Sequence, residues 1–156
     1  MNRYGPISML ILCSAVGFAV MGVRAQEDPI ANPDEVQILK VVQFYFDGII
    51  EYDEAKLREA FHPDAVVSGT DDTGALDSKP FQEWVLYTRG TAPDRAGREN
   101  TIVSVDISGH AAVVKTDLAW PHVHYVDYLS LLKLDGTWVI MSKIWYKEKP
   151  NSAAVS

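Results

Sequence analysis

Four strand-like segments follow one another in the last third of the chain, and only short turns separate them. Val, Ile, Tyr and Trp are concentrated in residues 100–108, 110–120, 122–134 and 137–147. Strands joined by such short turns pair antiparallel, because a parallel pair needs a connection of a dozen or more residues. The pattern therefore predicts a strongly curved antiparallel sheet and excludes a parallel nucleotide-binding sheet.

A long amphipathic helix is predicted upstream of these strands, from Glu35 to about Tyr52. Asp34 is its predicted N-cap, with Gln37 as the capping-box partner. The apolar residues recur at steps of three and four, as one face of a helix requires: Ile38, Val41, Val42, Tyr45, Ile49 and Tyr52. We expect this helix to cover the concave face of the sheet.

Shorter elements are predicted between the long helix and the four strands. Asp53 should cap a second helix, which ends at His62 because the residue before Pro63 resists the helical region. The pattern then predicts, in order, a short strand over 65–68, a loop over 69–75, a third helix over 78–88 and a loop over 90–97. Helices on one face of an antiparallel sheet make an α+β domain over residues 34–149, with a pocket between the layers.

The first 25 residues have the pattern of a signal peptide. Arg3 gives a positive start, residues 7–23 are apolar, and cleavage is predicted after Ala25. Cys13 is the only cysteine and would leave with this segment, so that the mature protein could form no disulfide. We expect a periplasmic or secreted protein with no membrane span after processing. Retention of the segment as an N-terminal anchor is the alternative.

The mature chain is acidic. The formal net charge is −7, and loss of Arg3 and Arg24 with the signal peptide changes it to −9. An acidic surface repels phosphate backbones and anionic lipids, which argues against a nucleic-acid partner. Phosphate-binding glycine loops and serine nucleophile motifs are absent, so no cofactor is predicted. Residues 26–33 are interpreted as a tether and residues 150–156 as a flexible tail.

Asp127 is the most unusual residue of the predicted strands. Aspartate is depleted in strands, and burying a carboxylate without partners is costly. Inside the pocket it could act as an acid, a base or an anchor for a ligand; a satisfied structural carboxylate is the alternative. Tyr45 could bring its hydroxyl to the same pocket to hold an oxyanion, or simply belong to the core. His62 could carry protons at the pocket mouth, or stabilise a helix end.

Aromatic and histidine side chains supply the candidate ligand contacts. Tryptophans at four positions could form aromatic walls, and the alternative for most of them is the core or an interface: Trp84, Trp120, Trp138 and Trp145. The candidate ligand contacts among them are Trp84, Trp120 and Trp145. His122 and His124 share one face of a strand because they are two residues apart, and His124 is the candidate ligand contact. Alternation puts Asp127 on the opposite face unless a bulge intervenes. No third ligand accompanies the two histidines, so no metal site is predicted.

Three segments of the chain form a pattern that is known from one superfamily. They are residues 61–67 (FHPDAVV), 105–114 (VDISGHAAVV) and 125–140 (YVDYLSLLKLDGTWVI). They resemble the nuclear transport factor 2-like (NTF2-like) superfamily, and the chain is most similar to its putative lumazine-binding branch, close to the SnoaL-like polyketide cyclases. The resemblance implies a cone-shaped α+β barrel, in which a curved sheet wraps around the long N-terminal helix. It also implies a homodimer formed through the outer sheet face.

Three functions are compatible with this sequence. The first is an exported domain that binds a small apolar or aromatic molecule. The second is a lyase or isomerase, of dehydratase, ketosteroid isomerase or polyketide cyclase type, with Asp127 as general acid or base and Tyr45 as oxyanion donor. The third is a structural partner domain whose cavity is filled by its own side chains. Whether the cavity of the cone is open or filled distinguishes the third function from the other two.

Overall fold

The computed structural model describes residues 32–88, 90 and 95–148, which belong to one compact unit of the chain. The predicted signal peptide, the tail, most of the tether and part of the 90–97 loop lie outside these residues. Within the described ranges, no helix has both the length and the hydropathy needed to cross a membrane.

The long helix α1 spans Pro33–Glu51, two residues earlier than predicted. Asn32, and not Asp34, is the N-cap, because its side chain accepts a hydrogen bond from the Asp34 amide at 3.0 Å. The Asp34 carboxylate instead accepts hydrogen bonds from Lys133 Nζ at 2.6 Å and Trp138 Nε1 at 3.1 Å. The predicted cap therefore ties α1 to the sheet, a long-range contact that local pattern does not reveal.

Two short helices follow α1. Helix α2 spans Glu54–Ala60, and Asp53 caps it as predicted by accepting hydrogen bonds from the amides of Ala55 and Lys56. Helix α3 spans Phe81–Tyr87 and begins directly after Pro80. Its start is later than predicted because the preceding residues form a strand.

The six strands form one mixed sheet. They are β1 (Phe61–Thr70), β2 (Leu76–Pro80), β3 (Glu99–Ser108), β4 (Ala111–Trp120), β5 (Val123–Leu134) and β6 (Thr137–Glu148). The order is β2-β1-β6-β5-β4-β3, and among the described strands β2 and β3 remain unpaired edges, so the sheet is curved but unclosed. The four C-terminal strands and their antiparallel pairing are confirmed.

The expectation of a wholly antiparallel sheet is wrong at one pairing, because β1 runs parallel to β6. Strand β1 is also longer than predicted, and it makes His62 a strand residue and not a helix end. Strand β2 was not predicted. Its sequence, LDSKP, has no β-branched or aromatic residue, and it forms as an antiparallel partner of β1.

Irregular pairing bends the sheet around α1. The register shifts between Ile102 and Ser104 on β3, and again on β6 opposite Ser130 and Leu131. Such bulges increase local twist and bend the strand that carries them. The apolar face of α1 packs into the resulting concave surface, and the largest fully buried side chains include Trp138, Tyr45, Phe61, Phe81 and Ile38.

Candidate functional site

The cone remains open on the side where α1 meets β1, β5 and β6. A cavity of about 610 Å³ lies there, which contradicts the alternative of a cone filled by its own side chains. This volume lies in the range of small-molecule sites. Three polar side chains of the cavity are in mutual contact: Tyr45, Asp127 and Lys143.

Tyr45, Asp127 and Lys143 form a chain of hydrogen bonds at the inner end of the cavity. The Tyr45 hydroxyl donates to Asp127 Oδ2 at 2.5 Å, and Lys143 Nζ donates to the Tyr45 oxygen at 3.0 Å. Lys143 Nζ also lies 3.4 Å from Asp127 Oδ2. Asp127 is 0% exposed and Lys143 is 7% exposed, so this ion pair is shielded from water. The structure places Tyr45 and Asp127 in contact, while their catalytic roles stay predictions.

One oxygen of this group has no partner. Asp127 Oδ1 is fully buried and, among the described residues, accepts no hydrogen bond. Thr116 faces Asp127 across the β4–β5 pair, and its Oγ1 is also fully buried without a hydrogen-bond partner among the described residues. Unsatisfied buried polar atoms cost about 1–3 kcal/mol each, and of these two residues only Asp127 belongs to the cavity lining.

The Tyr45 hydroxyl is held in its protonated form. Burial raises the pKa of Tyr45 well above its ordinary value, and the charge of Asp127 and the hydrogen bond to it add to this effect. A neutral phenol between an ammonium group and a carboxylate can donate one hydrogen bond and accept another. The arrangement therefore provides a continuous path for a proton from Lys143 to Asp127.

Lys143 was not recognised in the sequence because a bulge conceals its orientation. Trp138 and Ile140 face inward on β6, and regular alternation would turn Lys143 outward. The register shift after Ile140 makes Met141 an extra residue relative to β5, and Lys143 consequently faces the cavity together with Trp145. The only available signal was a lysine within a strand rich in apolar residues, and this signal does not indicate a face.

Aromatic rings form the cavity wall. Trp84, Trp120 and Trp145 line the cavity, whereas Trp138 does not and belongs to the buried core. The Tyr125 ring lies between two of them, edge-to-face, with its centre 5.7 Å from that of Trp120 and 6.2 Å from that of Trp145. The Trp84 ring centre lies 4.9 Å from Lys143 Nζ. Ligand binding by these rings remains a prediction. Their geometry suits a flat apolar or aromatic molecule.

Charged side chains also line the cavity, and the sequence did not indicate them. Asp77 and Lys79 of β2 form an ion pair there. Arg98 covers the Trp120 ring at 4.2 Å from its centre and lines the same cavity. The cavity therefore presents polar contacts beyond those of the Tyr45 chain, and a ligand can carry polar groups at more than one position.

The two histidines predicted for the site lie away from the cavity. His62 is in β1, where Nδ1 accepts a hydrogen bond from the Asp64 amide at 3.1 Å. His124 occupies the outer face of β5, where its ring nitrogens contact Asp117 at 2.8 Å and Glu148 at 2.6 Å. Strand alternation causes this placement, because no bulge separates His124 from Asp127. Over residues 32–88, 90 and 95–148, no group of metal-ligating side chains is present.

The bent sheet, the crossing helix and the cavity between them place the protein in the NTF2-like class. An NTF2-like protein of unknown function from Shewanella baltica OS155 has a TM-score of 0.71 at 24% identity, covering 79% of this chain and 100% of that chain. Another from Silicibacter pomeroyi DSS-3 has a TM-score of 0.67 at 21% identity, covering 74% and 96%. Similarity at this level of identity establishes the fold.

Within this class, the chain belongs to the putative lumazine-binding family, which matches residues 33–146. The chain is also similar to aldolase FrzH from Cladobotryum sp., with 25% identity over 111 residues. That alignment covers 70% of this chain and 87% of the relative.

Proposed function

We propose that the protein binds a small, flat, largely apolar or aromatic molecule in the cavity, with a polar group seated on Asp127 and Lys143. The observation that carries this proposal is the open, aromatic-walled cavity whose lining includes the hydrogen-bonded side chains of Tyr45, Asp127 and Lys143. Asp127 Oδ1 can accept a hydrogen bond, while Lys143 can only donate. The favoured ligand therefore carries a hydroxyl or amine donor beside a carbonyl acceptor.

Native mass spectrometry of purified protein, followed by a thermal-shift screen of aromatic carbonyl and hydroxyl compounds, tests this proposal. We expect Asp127→Asn to weaken binding of a hit by about tenfold to a hundredfold, because a charge-assisted hydrogen bond contributes about 1.5–3 kcal/mol. Asp106→Asn, which changes an exposed aspartate of β3, is the matched control and should bind as the unmodified protein does. Absence of any hit across the library argues against the proposal.

Proton-transfer catalysis is the second candidate function. It is favoured by the hydrogen-bond chain from Lys143 through Tyr45 to Asp127, since a buried acid–base group beside a ligand cavity suits enolisation, dehydration or aldol chemistry. The similarity to aldolase FrzH is in line with carbon–carbon bond chemistry. For any substrate that is turned over, Asp127→Asn should abolish turnover; unchanged turnover would exclude this role.

We also propose a homodimer through the outer sheet face. Apolar side chains that face away from the cavity are exposed on this surface: Tyr128 (44% exposed), Ile144 (57%) and Tyr146 (56%). Ile144→Glu should convert the dimer to a monomer in analytical ultracentrifugation. Val36→Glu on helix α1 is the control and should leave the dimer intact, because Val36 is exposed on the helix that covers the concave side of the sheet, opposite the outer face.

Export remains a proposal that rests on the sequence of residues 1–25. N-terminal sequencing of protein recovered from the periplasm or the medium tests it. The expected first residue is Gln26, and recovery of an intact N-terminus in the cytoplasm contradicts it.

A further inference from the structure

We propose that Lys143 forms a reversible imine with aldehyde or ketone ligands, which makes the cavity a covalent carbonyl-binding site. This inference rests on the proposed function, since it requires a carbonyl compound to enter the cavity. It adds a reaction at a named atom, Lys143 Nζ, which binding alone does not require.

The amine of Lys143 lies where a carbonyl ligand could reach it. Lys143 lines the cavity, is 7% exposed, and its Nζ lies 4.9 Å from the centre of the Trp84 ring. An aromatic carbonyl compound that packs on the tryptophan walls would bring its carbonyl carbon close to this nitrogen. Burial of Lys143 also limits its contact with bulk water, which otherwise competes with an amine for the carbonyl group.

A path of hydrogen bonds is available to remove a proton from this amine. An amine attacks a carbonyl only as the neutral base, so the ammonium group must first lose a proton. The observed hydrogen bonds provide the route: Lys143 donates to the Tyr45 oxygen, and Tyr45 donates to Asp127 Oδ2. A shift of one proton along each bond leaves a neutral amine, a phenol and a carboxylic acid. Loss of both charges compensates for part of the cost of the transfer in this shielded site.

The reaction balances with these groups alone. The lone pair of Nζ forms a bond to the carbonyl carbon, and one amine proton passes to the carbonyl oxygen to give a neutral carbinolamine. The carboxylic acid of Asp127 then protonates the carbinolamine hydroxyl through Tyr45, and the C–O bond breaks to release water. The product is a protonated imine of Lys143 paired with the Asp127 carboxylate. No oxidant, reductant or metal takes part.

Reductive trapping tests the inference on the whole protein. Benzaldehyde is added with sodium cyanoborohydride, and peptide mass spectrometry follows benzyl addition at each lysine. We expect Lys143 to be labelled at least about tenfold faster than the exposed Lys40 and Lys147, because the cavity holds the aldehyde beside the amine. Equal labelling of all three, or labelling of the exposed lysines only, overturns the inference.

Benzyl alcohol separates failure of the inference from failure of the proposed function, because it fits the same space but forms no imine. If thermal shift detects benzyl alcohol or benzaldehyde but Lys143 stays unlabelled, the binding proposal stands and imine formation is rejected. If the screen finds no ligand of any kind and Lys143 is unlabelled, both fail.

Tyr45→Phe distinguishes a proton relay from a merely structural hydroxyl. The variant keeps the ring and removes the link between Lys143 and Asp127. We expect the labelling rate of Lys143 to fall about a hundredfold while affinity for benzyl alcohol changes little, as loss of acid–base assistance predicts. A labelling rate equal to that of the unmodified protein excludes the relay. Lys143→Arg, which cannot form the imine, should show only background labelling at the exposed lysines.

Discussion

The buried pair of Lys143 and Asp127 predicts a specific pattern of stability changes. Their atoms Nζ and Oδ2 lie 3.4 Å apart, which corresponds to an attraction of about 5 kcal/mol at an effective dielectric constant of about 20. Desolvation of both groups offsets much of this attraction, whereas removal of one partner leaves the other charge buried alone. We therefore expect Lys143→Met and Asp127→Asn each to reduce the free energy of unfolding by about 3 kcal/mol.

The double variant should be less destabilised than the sum of the two single variants. It contains neither charge, so we expect a coupling free energy of about 2 kcal/mol from a double-mutant cycle. Urea unfolding at pH 7, followed by tryptophan fluorescence and far-UV circular dichroism, provides the four free energies. This comparison requires that the slope of the unfolding free energy against urea concentration is the same for the four proteins.

The matched control is a second lysine–aspartate pair at the same separation. Lys147 Nζ lies 3.4 Å from Asp72 Oδ1, but both side chains are solvent-exposed. The equivalent cycle with Lys147→Met and Asp72→Asn should give a coupling of about 0.5 kcal/mol or less, because exposed pairs are screened. Equal coupling in the two cycles would refute the argument that burial makes the inner pair different.

Two further predictions concern residues next to the site and on the outer face. Hydrogen bonds to Asp117, and to a smaller extent to Glu148, raise the pKa of His124. The protonated ring therefore stabilises the fold fully below the unfolded-state pKa of about 6.5, and this stabilisation is lost as pH rises through the folded-state pKa. His124→Gln should therefore lower the free energy of unfolding more at about pH 5.5 than at about pH 9, by less than about 1 kcal/mol at this half-exposed position; an equal loss at both pH values contradicts the ion-pair explanation. A Cβ at Gly69 would overlap the Trp145 ring, so Gly69→Ala should either cost about 1–3 kcal/mol in urea unfolding or turn the ring into the cavity and weaken ligand binding. A variant with unchanged stability and affinity would show that the ring moves freely.

The local spacing of apolar residues predicted those helices and strands whose own sequence has a clear periodicity. The three-and-four spacing in α1 and the alternating β4 and β5 gave correct element types and near-correct ends. It failed where a partner strand decides the conformation. Strand β2 has no strand propensity of its own, and β1 extends on both sides of Pro63 because β2 and β6 supply its pairing.

The same distinction separates the site residues that the sequence could identify from those that it could not. Asp127 and Tyr45 could be found because each is anomalous within a regular pattern, a carboxylate on an apolar strand and a phenol on an apolar helix face. His124 could have been excluded by alternation alone, since it lies three residues from Asp127 on a strand without a bulge between them. Lys143 could not be placed by alternation, because the extra residue Met141 changes which face the rest of β6 presents.

The bulge in β6 has a chemical consequence as well as a geometric one. With regular alternation, a strand that buries Trp138 and Ile140 would present Lys143 to solvent, and the hydrogen-bonded group in the cavity would consist of Tyr45 and Asp127 only. Such a pair can accept or donate one proton but contains no amine. The bulge brings a third group within 3.0 Å of the Tyr45 oxygen and completes a chain from base to acid. The bulge that prevents sequence-based placement of Lys143 is therefore also the feature on which the proposed carbonyl chemistry depends.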